Sequence, residues 1–286
     1  AATCSDIPAG AGVSSSAAFE MLVGVLLRVL CDPTGAVPCD PVALALEGAQ
    51  VEQAYFGKPC GVQDQLASAQ GGAAAFDFAG DLPRVEPIAF DWEACGYALC
   101  LVDSRCDHSV HADEYAAVPA DMRAVARRFG CERLEDVPYP VFLARLADVR
   151  AHLGDRAALR ALHYFEETRR VAAQQRALES GDIEGFLEGV RQSGASSAQF
   201  LQNVSPRGDG LGARQPAMMV LALCAHLLDG RGAYRIHGGG FGGSALAFVP
   251  AEDIDAFCES MDALLGYDAC LRAKVDGRGA YAERMA

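Results

Sequence analysis

Three serines follow a glycine-rich turn near the start of the 286-residue chain, and this pattern could bind phosphate. Residues 8–18 read Pro-Ala-Gly-Ala-Gly-Val-Ser-Ser-Ser-Ala-Ala. The glycines allow unusual backbone dihedrals and a close approach to a ligand, and serine is a favoured helix N-cap. A turn that leads into a helix presents free N–H groups and the positive end of the helix dipole. No lysine follows the glycines, so the turn is not a Walker A loop. The spacing alone leaves open whether it binds phosphate or only begins a helix.

Two carboxylates, Glu52 and Asp64, lie twelve residues apart and flank a second turn. Glu52 falls late in a predicted helix that Asp40 and Pro41 begin, because an N-cap followed by proline is a helix start signal. Asp64 opens a short predicted helix over residues 62–69. Each has a simple structural interpretation: Glu52 as a solvated helix charge, and Asp64 as an acid near a helix N-terminus. The positive end of the helix dipole there would attract its carboxylate.

Two further segments carry candidate chemistry. Residues 103–115 hold histidines, a cysteine and acidic residues, but their spacing matches none of the usual structural zinc patterns. Residues 234–248 predict a strand, a glycine loop and a second strand, and consecutive N–H groups in such a loop can form an anion nest. The alternative is a glycine-rich hairpin without a catalytic role.

These segments must be positioned by a mixture of helices and strands, in a chain long enough for one large or two ordinary domains. A nearly all-apolar stretch predicts a buried helix over residues 16–30. Composition predicts a helical region from 138 to 181 with a break at Gly154 and Asp155. The predicted helices and strands, in the order of the chain, are helices at 16–30, 41–56, 62–69, 110–129, 138–181, 182–192, 213–228 and 250–265, and strands at 1–7, 73–78, 85–90 and 97–103.

The composition of the chain limits which kinds of partner and which cellular compartment are expected. The net charge of −14 argues against a nucleic-acid or anionic-membrane partner. No apolar run approaches the length of a membrane span, and no signal peptide is evident. The eleven cysteines are scattered singly without a CxxC pair, which predicts reduced, buried thiols and a cytoplasmic protein. The oligomeric state stays open.

Three motifs, in the same order along the chain, resemble those of the GHMP small-molecule kinases. Residues 8–17 resemble the phosphate loop Pro-x-Gly-x-Gly-(Leu/Val)-Ser-Ser-Ser-Ala of that family. Residues 57–65, Gly-Lys-Pro-Cys-Gly-Val-Gln-Asp-Gln, are similar to the galactokinase segment that carries the carboxylate beside the sugar, although an apolar residue is usual at Gln63. Residues 238–243, Gly-Gly-Gly-Phe-Gly-Gly, resemble the third motif, which closes against the phosphate loop in the family.

The resemblance implies a role for each matching residue. Asp64 would be the catalytic base or would orient the sugar hydroxyl, and Gly61 and Tyr115 would contact the sugar. Ser16 and Glu52 would hold Mg²⁺. The ATP phosphates would be bound by the phosphate loop, which comprises Gly10, Ala11, Gly12, Val13, Ser14, Ser15 and Ser16. The glycine motif near these phosphates comprises Gly238, Gly239, Gly240, Phe241, Gly242 and Gly243.

The resemblance also implies an α+β fold with two subdomains. Residues 1–95 would be the remainder of a ribosomal-S5-like N-terminal domain, and residues 96–286 a ferredoxin-like and helical C-terminal domain. The implied reaction converts galactose and ATP to galactose 1-phosphate and ADP. The family's opening segment, Gly-Arg-x-Asn-x-x-Gly-Glu-His-x-Asp-Tyr, has no match here. Because that segment supplies an arginine facing the transferred phosphate and groups that hold the sugar, we expect this chain alone to phosphorylate galactose very weakly or not at all.

Three alternatives remain open at this point. The chain could belong to a kinase for another sugar, such as N-acetylgalactosamine or arabinose. In the family, the segment without a match here binds the sugar hydroxyls and so determines which sugar is accepted. The chain could be a non-catalytic sensor of sugar or nucleotide, although the presence of Ser16, Glu52 and Asp64 argues against this. It could also be a truncated remnant without function, with an open sheet edge where missing strands once paired.

Overall fold

The computed structural model describes residues 2–7, 13–31, 40–57, 60–106, 112–205 and 214–283. The chain divides into two compact units. The first unit contains the described residues of the N-terminal part up to Phe90, together with residues 275–283. The second contains the described residues from Asp91 to Lys274. No helix within these ranges is both long and apolar enough to cross a membrane.

The first unit packs three helices with a two-stranded antiparallel hairpin. Asp40 caps α2 by accepting the Val42 N–H at 3.0 Å, and Gly57 ends that helix in the left-handed region, at a φ of 62°. The core of the unit lies among the three helices. The elements are α1 (Ser15–Cys31), α2 (Pro41–Phe56), α3 (Gln63–Gln70), β1 (Ala73–Asp77) and β2 (Arg84–Ile88).

The second unit contains a four-stranded antiparallel sheet with the order β4-β5-β3-β6. Its strands are β3 (Tyr97–Cys106), β4 (Ala233–Ile236), β5 (Gly243–Pro250) and β6 (Cys270–Ala273). One hydrophobic core joins this sheet to the last two helices of the unit. A second core lies among the earlier helices and is rich in aromatic rings.

The helices of the second unit account for most of its length. A π-helix, Ser197–Leu201, follows α7, and Gly154 interrupts α6 with a φ of 81°. The α-helices are α4 (Ala112–Arg128), α5 (Tyr139–Ala144), α6 (Leu146–Glu179), α7 (Ile183–Ser196), α8 (Pro216–Leu228) and α9 (Ile254–Leu265).

The predicted α+β fold and the predicted break at Gly154 are confirmed. The strand predicted over residues 1–7 is wrong for the described residues 2–7, which pair with no other strand. The domain boundary between residues 95 and 96 stays a prediction. The C-terminal residues 275–283, expected in the second domain, instead belong to the first unit, where the Ala280 N–H donates to the Ser68 carbonyl at 3.1 Å.

Candidate active site

A serine and a buried glutamate meet in the first unit. Ser16 is the second residue of α1, and Glu52 lies in the last turns of α2. The Ser16 Oγ donates a hydrogen bond to the Glu52 Oε1 at 2.9 Å. Only 6% of Glu52 is exposed, whereas Ser16 is open to solvent. Because a carboxylate withdrawn from water needs polar or cationic partners, this placement indicates a site rather than a solvated helix charge.

Small residues on both helices leave room for this contact. A Cβ at Gly24 of α1 would lie 2.5 Å from the Leu44 Cδ1, and a Cβ at Gly48 of α2 would lie 2.5 Å from the Met21 Cε. Because glycine has no side chain, Gly24 and Gly48 leave space between α1 and α2 that the side chains of Leu44 and Met21 occupy. This packing lets the start of α1 approach the end of α2.

The Ser16 and Glu52 pair suits Mg²⁺ in chemistry and in spacing. Mg²⁺ prefers hard oxygen ligands, and it is bound through few protein groups together with phosphates and water. Neighbouring ligands of an octahedral Mg²⁺, each about 2.0–2.1 Å from the ion, lie about 2.9 Å from each other. The observed distance between the Ser16 Oγ and the Glu52 Oε1 is 2.9 Å. The residues present therefore fit this ion.

Asp64 lies in the first turn of α3, with its side chain exposed. Its neighbour Gln65 is 3% exposed, and the Gln65 Nε2 donates to the Glu20 Oε2 of α1 at 3.1 Å. Glu20 lies one turn after Ser16, so the first turn of α3 contacts the second turn of α1. Asp64 thus belongs to the same three-helix group as the pair Ser16 and Glu52, and its predicted catalytic role stays a prediction. Gly61, which precedes α3, is also exposed, and its predicted sugar contact stays a prediction.

Part of the predicted phosphate loop can be described. Gly10, Ala11 and Gly12 lie outside the described residues. Ser14 has a φ of 56°, a left-handed conformation that is uncommon for a residue other than glycine. Its carbonyl accepts the Ala18 N–H at 3.1 Å, so α1 begins immediately after it. The N–H groups of the first turn have no partners within the helix, which is the arrangement that a phosphate site requires.

The glycine motif, residues 238–243, follows β4 in the second unit and ends at the first residue of β5. Gly238, Gly240 and Phe241 all have positive φ, of 62°, 80° and 53°. Asn203 holds this loop with two hydrogen bonds. Its carbonyl accepts the Phe241 N–H at 2.5 Å, and its Nδ2 donates to the Gly239 carbonyl at 3.0 Å.

Tyr115 of α4 also packs against the glycine motif. Its hydroxyl donates to the Gly240 carbonyl at 2.7 Å, and its ring meets the Phe241 ring edge-on, with the centroids 5.3 Å apart. A Cβ at Gly239 would lie 2.5 Å from the Tyr115 ring. The structure thus gives Tyr115 a loop-positioning contact, and its predicted contact with a sugar stays a prediction.

Sequence reasoning missed Asn203. It lies at the end of residues 193–203, a stretch of small and polar residues. It follows the π-helix and Gln202, which has a left-handed φ of 59°. Asn203 is 1% exposed, so its amide is positioned within the unit. An asparagine beside small residues is a weak signal in the sequence. It does not indicate which distant loop the asparagine contacts.

The comparisons with known proteins agree with these motifs. Residues 2–72 match the family model described as the GHMP kinases N terminal domain. A galactokinase of Streptomyces coelicolor is 33% identical over 269 residues, which cover 90% of this chain and 62% of that protein. A galactokinase of Pasteurella multocida is 32% identical over 251 residues, covering 88% of this chain and 61% of that protein. The chain therefore spans about three fifths of the length of these curated relatives.

Solved structures show the same fold. The crystal structure of Lactococcus lactis galactokinase complexed with galactose matches with a TM-score of 0.74 and 23% identity, covering 96% of this chain and 68% of that one. A mevalonate kinase of L. major in complex with R-mevalonate matches with a TM-score of 0.54 and 18% identity, covering 96% of this chain and 67% of that one. The resemblance inferred from the three motifs is thereby confirmed: the chain has the GHMP kinase fold, and it is similar to galactokinases over about nine tenths of its length.

Proposed function

We propose that this chain is the nucleotide- and sugar-binding part of an ATP-dependent sugar-1-kinase whose substrate is galactose. The observation that carries the proposal is the hydrogen bond between Ser16 at the start of α1 and the buried Glu52 in the last turns of α2. Asp64 is exposed in the first turn of α3. The similarity to galactokinases supports the choice of sugar. The partners of the chain are therefore ATP and a small sugar, rather than nucleic acid.

The first unit supplies the phosphate and metal ligands in this proposal. Backbone N–H groups of residues 10–16 bind the ATP phosphates, and Ser16 and Glu52 hold Mg²⁺. When bound, the ion neutralises negative charge on the phosphates. Because phosphoryl transfer depends on positioning and on charge stabilisation, fixed amides and a fixed carboxylate are suitable catalytic parts.

Asp64 acts on the sugar hydroxyl in this proposal. The anomeric hydroxyl oxygen forms a bond to the γ-phosphorus of ATP, the bond from that phosphorus to the bridging oxygen breaks, and ADP leaves. The hydroxyl proton passes to the Asp64 carboxylate, or Asp64 orients the hydroxyl by accepting its hydrogen bond. Gly61, which precedes α3, contacts the sugar in this proposal.

The test is to look directly for the sugar phosphate. The chain is incubated with ATP, Mg²⁺ and galactose, and ³¹P NMR follows the products, so that slow turnover is also detected. We expect galactose 1-phosphate from the wild type and from the control Asp81→Asn, which changes an exposed acid in the hairpin of the same unit. We expect a loss of at least a hundredfold in Asp64→Asn, since general base catalysis is typically worth about 10²–10⁴.

Parallel incubations with N-acetylgalactosamine and arabinose test the sugar. If either sugar is phosphorylated faster than galactose, that sugar is the substrate instead of galactose. Isothermal titration that finds no binding of ATP or no binding of galactose would contradict the proposal. Equal rates in Asp64→Asn and Asp81→Asn would remove Asp64 from its assigned role.

A further inference from the structure

Three cysteines from three separate elements meet in the core of the second unit. Cys100 lies on β3, Cys258 on α9 and Cys270 on β6. Their Sγ atoms all lie within 4.8 Å of one another, and none forms a disulfide. Cys100 is fully buried, Cys258 is 8% exposed and Cys270 is half-buried. No other group of three or more metal-ligating side chains is found among the described residues.

The sheet register explains why the thiols converge. In the antiparallel pairing of β3 with β6, Cys100 lies opposite Arg272 and Val102 lies opposite Cys270. Residues two apart on a strand share a face, so Cys100 and Cys270 project to the same side of the sheet. The α9 helix packs on that side and brings in Cys258. Because β6 is the edge strand, the cluster lies near the border of the core.

Hydrogen bonds, burial and one cation set the surroundings of the three thiols. Hydrogen bonding with Cys100, together with burial, raises the pKa of the Cys270 thiol. Burial also raises the pKa of the Cys258 thiol, and hydrogen bonding from Arg272 partly opposes that effect. Arg272 in turn pairs with Asp255 of α9 at 2.5 Å. The Arg272 guanidinium therefore lies beside the cluster while it is paired with the Asp255 carboxylate.

We propose that Cys100, Cys258 and Cys270 bind one soft metal ion, with Zn²⁺ as the physiological candidate. Thiolates at about 2.3 Å from a tetrahedral Zn²⁺ lie about 3.8 Å apart, so sulfurs within 4.8 Å need only small adjustments. Binding forms three metal–sulfur bonds and releases three thiol protons to solvent, with no change of oxidation state. The resulting charge of −1 lies beside Arg272. Thiolates select Zn²⁺ and Cu⁺ over hard cations, so this site differs in ligand class from the oxygen site in the first unit.

A titration with Cd²⁺, a spectroscopic substitute for Zn²⁺, tests this site. The full chain is kept reduced with a phosphine, and a chelator competes for the metal so that weak surface binding does not register. We expect one tightly bound Cd²⁺ per chain, thiolate-to-metal charge-transfer absorption, and the release of three protons. Zn²⁺ should displace the Cd²⁺.

Variants assign the ligands. We expect Cys270→Ser, which changes a half-buried thiol on the edge strand, to weaken Cd²⁺ binding at least tenfold. Cys131→Ser changes a half-buried thiol in another core of the same unit and should bind like the wild type. Equal affinity in Cys270→Ser and the wild type would overturn the proposal. A wild-type affinity for Cd²⁺ that does not rise with pH would also overturn the proposal, and this measurement needs no variant.

Discussion

The glycine motif offers a matched pair of substitutions that measures how firmly Asn203 holds the loop. Gly238 and Gly240 both have left-handed φ, of 62° and 80°. A Cβ at Gly238 would meet no atom within 4 Å. A Cβ at Gly240 would lie 2.3 Å from the Asn203 carbonyl oxygen and 2.6 Å from its Nδ2. The variants Gly238→Ala and Gly240→Ala therefore share a backbone strain but differ in one steric contact.

The magnitudes follow from that difference. A left-handed backbone costs a residue with a Cβ about 1–2 kcal/mol, so we expect Gly238→Ala to lower the free energy of unfolding by that amount. Overpacking against a fixed group adds about 1–3 kcal/mol in Gly240→Ala. The Asn203 carbonyl cannot retreat freely, because it accepts the Phe241 N–H at 2.5 Å. Losing that hydrogen bond would itself cost about 1 kcal/mol.

Urea unfolding followed by tryptophan fluorescence measures both variants. The chain contains one tryptophan, Trp92, which packs in the second unit with its ring 5.8 Å from that of Phe186 and 6.3 Å from that of Phe248. Its signal therefore reports the unit that contains the glycine motif. We expect Gly240→Ala to be less stable than Gly238→Ala by about 1–3 kcal/mol. Equal stabilities would refute the inference that Asn203 fixes the loop.

Three further predictions concern the second unit. Phe142→Ala removes a fully buried ring that contacts other aromatic rings, so calorimetry should show a loss of about 3–5 kcal/mol. The His163 Nδ1 lies 2.9 Å from the Ser196 Oγ, and burial lowers the pKa of the His163 imidazole. As the pH falls below about 6.5, the unfolded state therefore binds a proton before the folded state does, and the free energy of unfolding decreases. The wild type should therefore lose more stability than His163→Gln between pH 8 and pH 5.5, and equal losses would contradict this. Asp182 caps α7 by accepting the Gly185 N–H at 2.9 Å, so Asp182→Ala should cost about 1 kcal/mol in urea unfolding, whereas Asp182→Asn should cost less.

Local sequence signals predicted the three helices of the first unit well. The N-cap Asp40 and the terminating Gly57 define the ends of α2, and both act within one helical turn of the residues they affect. The pairing of Ser16 with Glu52 was expected from the family resemblance, and the two side chains do meet. The resemblance did not indicate that Glu52 is buried, since burial depends on how α1 and α2 pack.

Contacts between distant residues could not be read from local patterns. The thiols of Cys100, Cys258 and Cys270 look isolated in the sequence because the sheet register and α9 bring them together. Asn203 and Tyr115 similarly reach the glycine motif from elements far away in the chain. Residues 2–7 have a composition that a strand tolerates, but no neighbouring strand pairs with them within the described part of the chain.

The most direct test of the account is whether Glu52 makes nucleotide binding depend on Mg²⁺. Isothermal titration with a non-hydrolysable ATP analogue, with and without Mg²⁺, compares the wild type with Glu52→Gln and with Glu47→Gln, an exposed acid on the same helix that pairs with Arg28 at 2.8 Å. We expect Mg²⁺ to increase affinity at least tenfold in the wild type and in Glu47→Gln, and to have little effect in Glu52→Gln. An equal Mg²⁺ effect in all three proteins would contradict the assignment of Ser16 and Glu52 as the metal ligands.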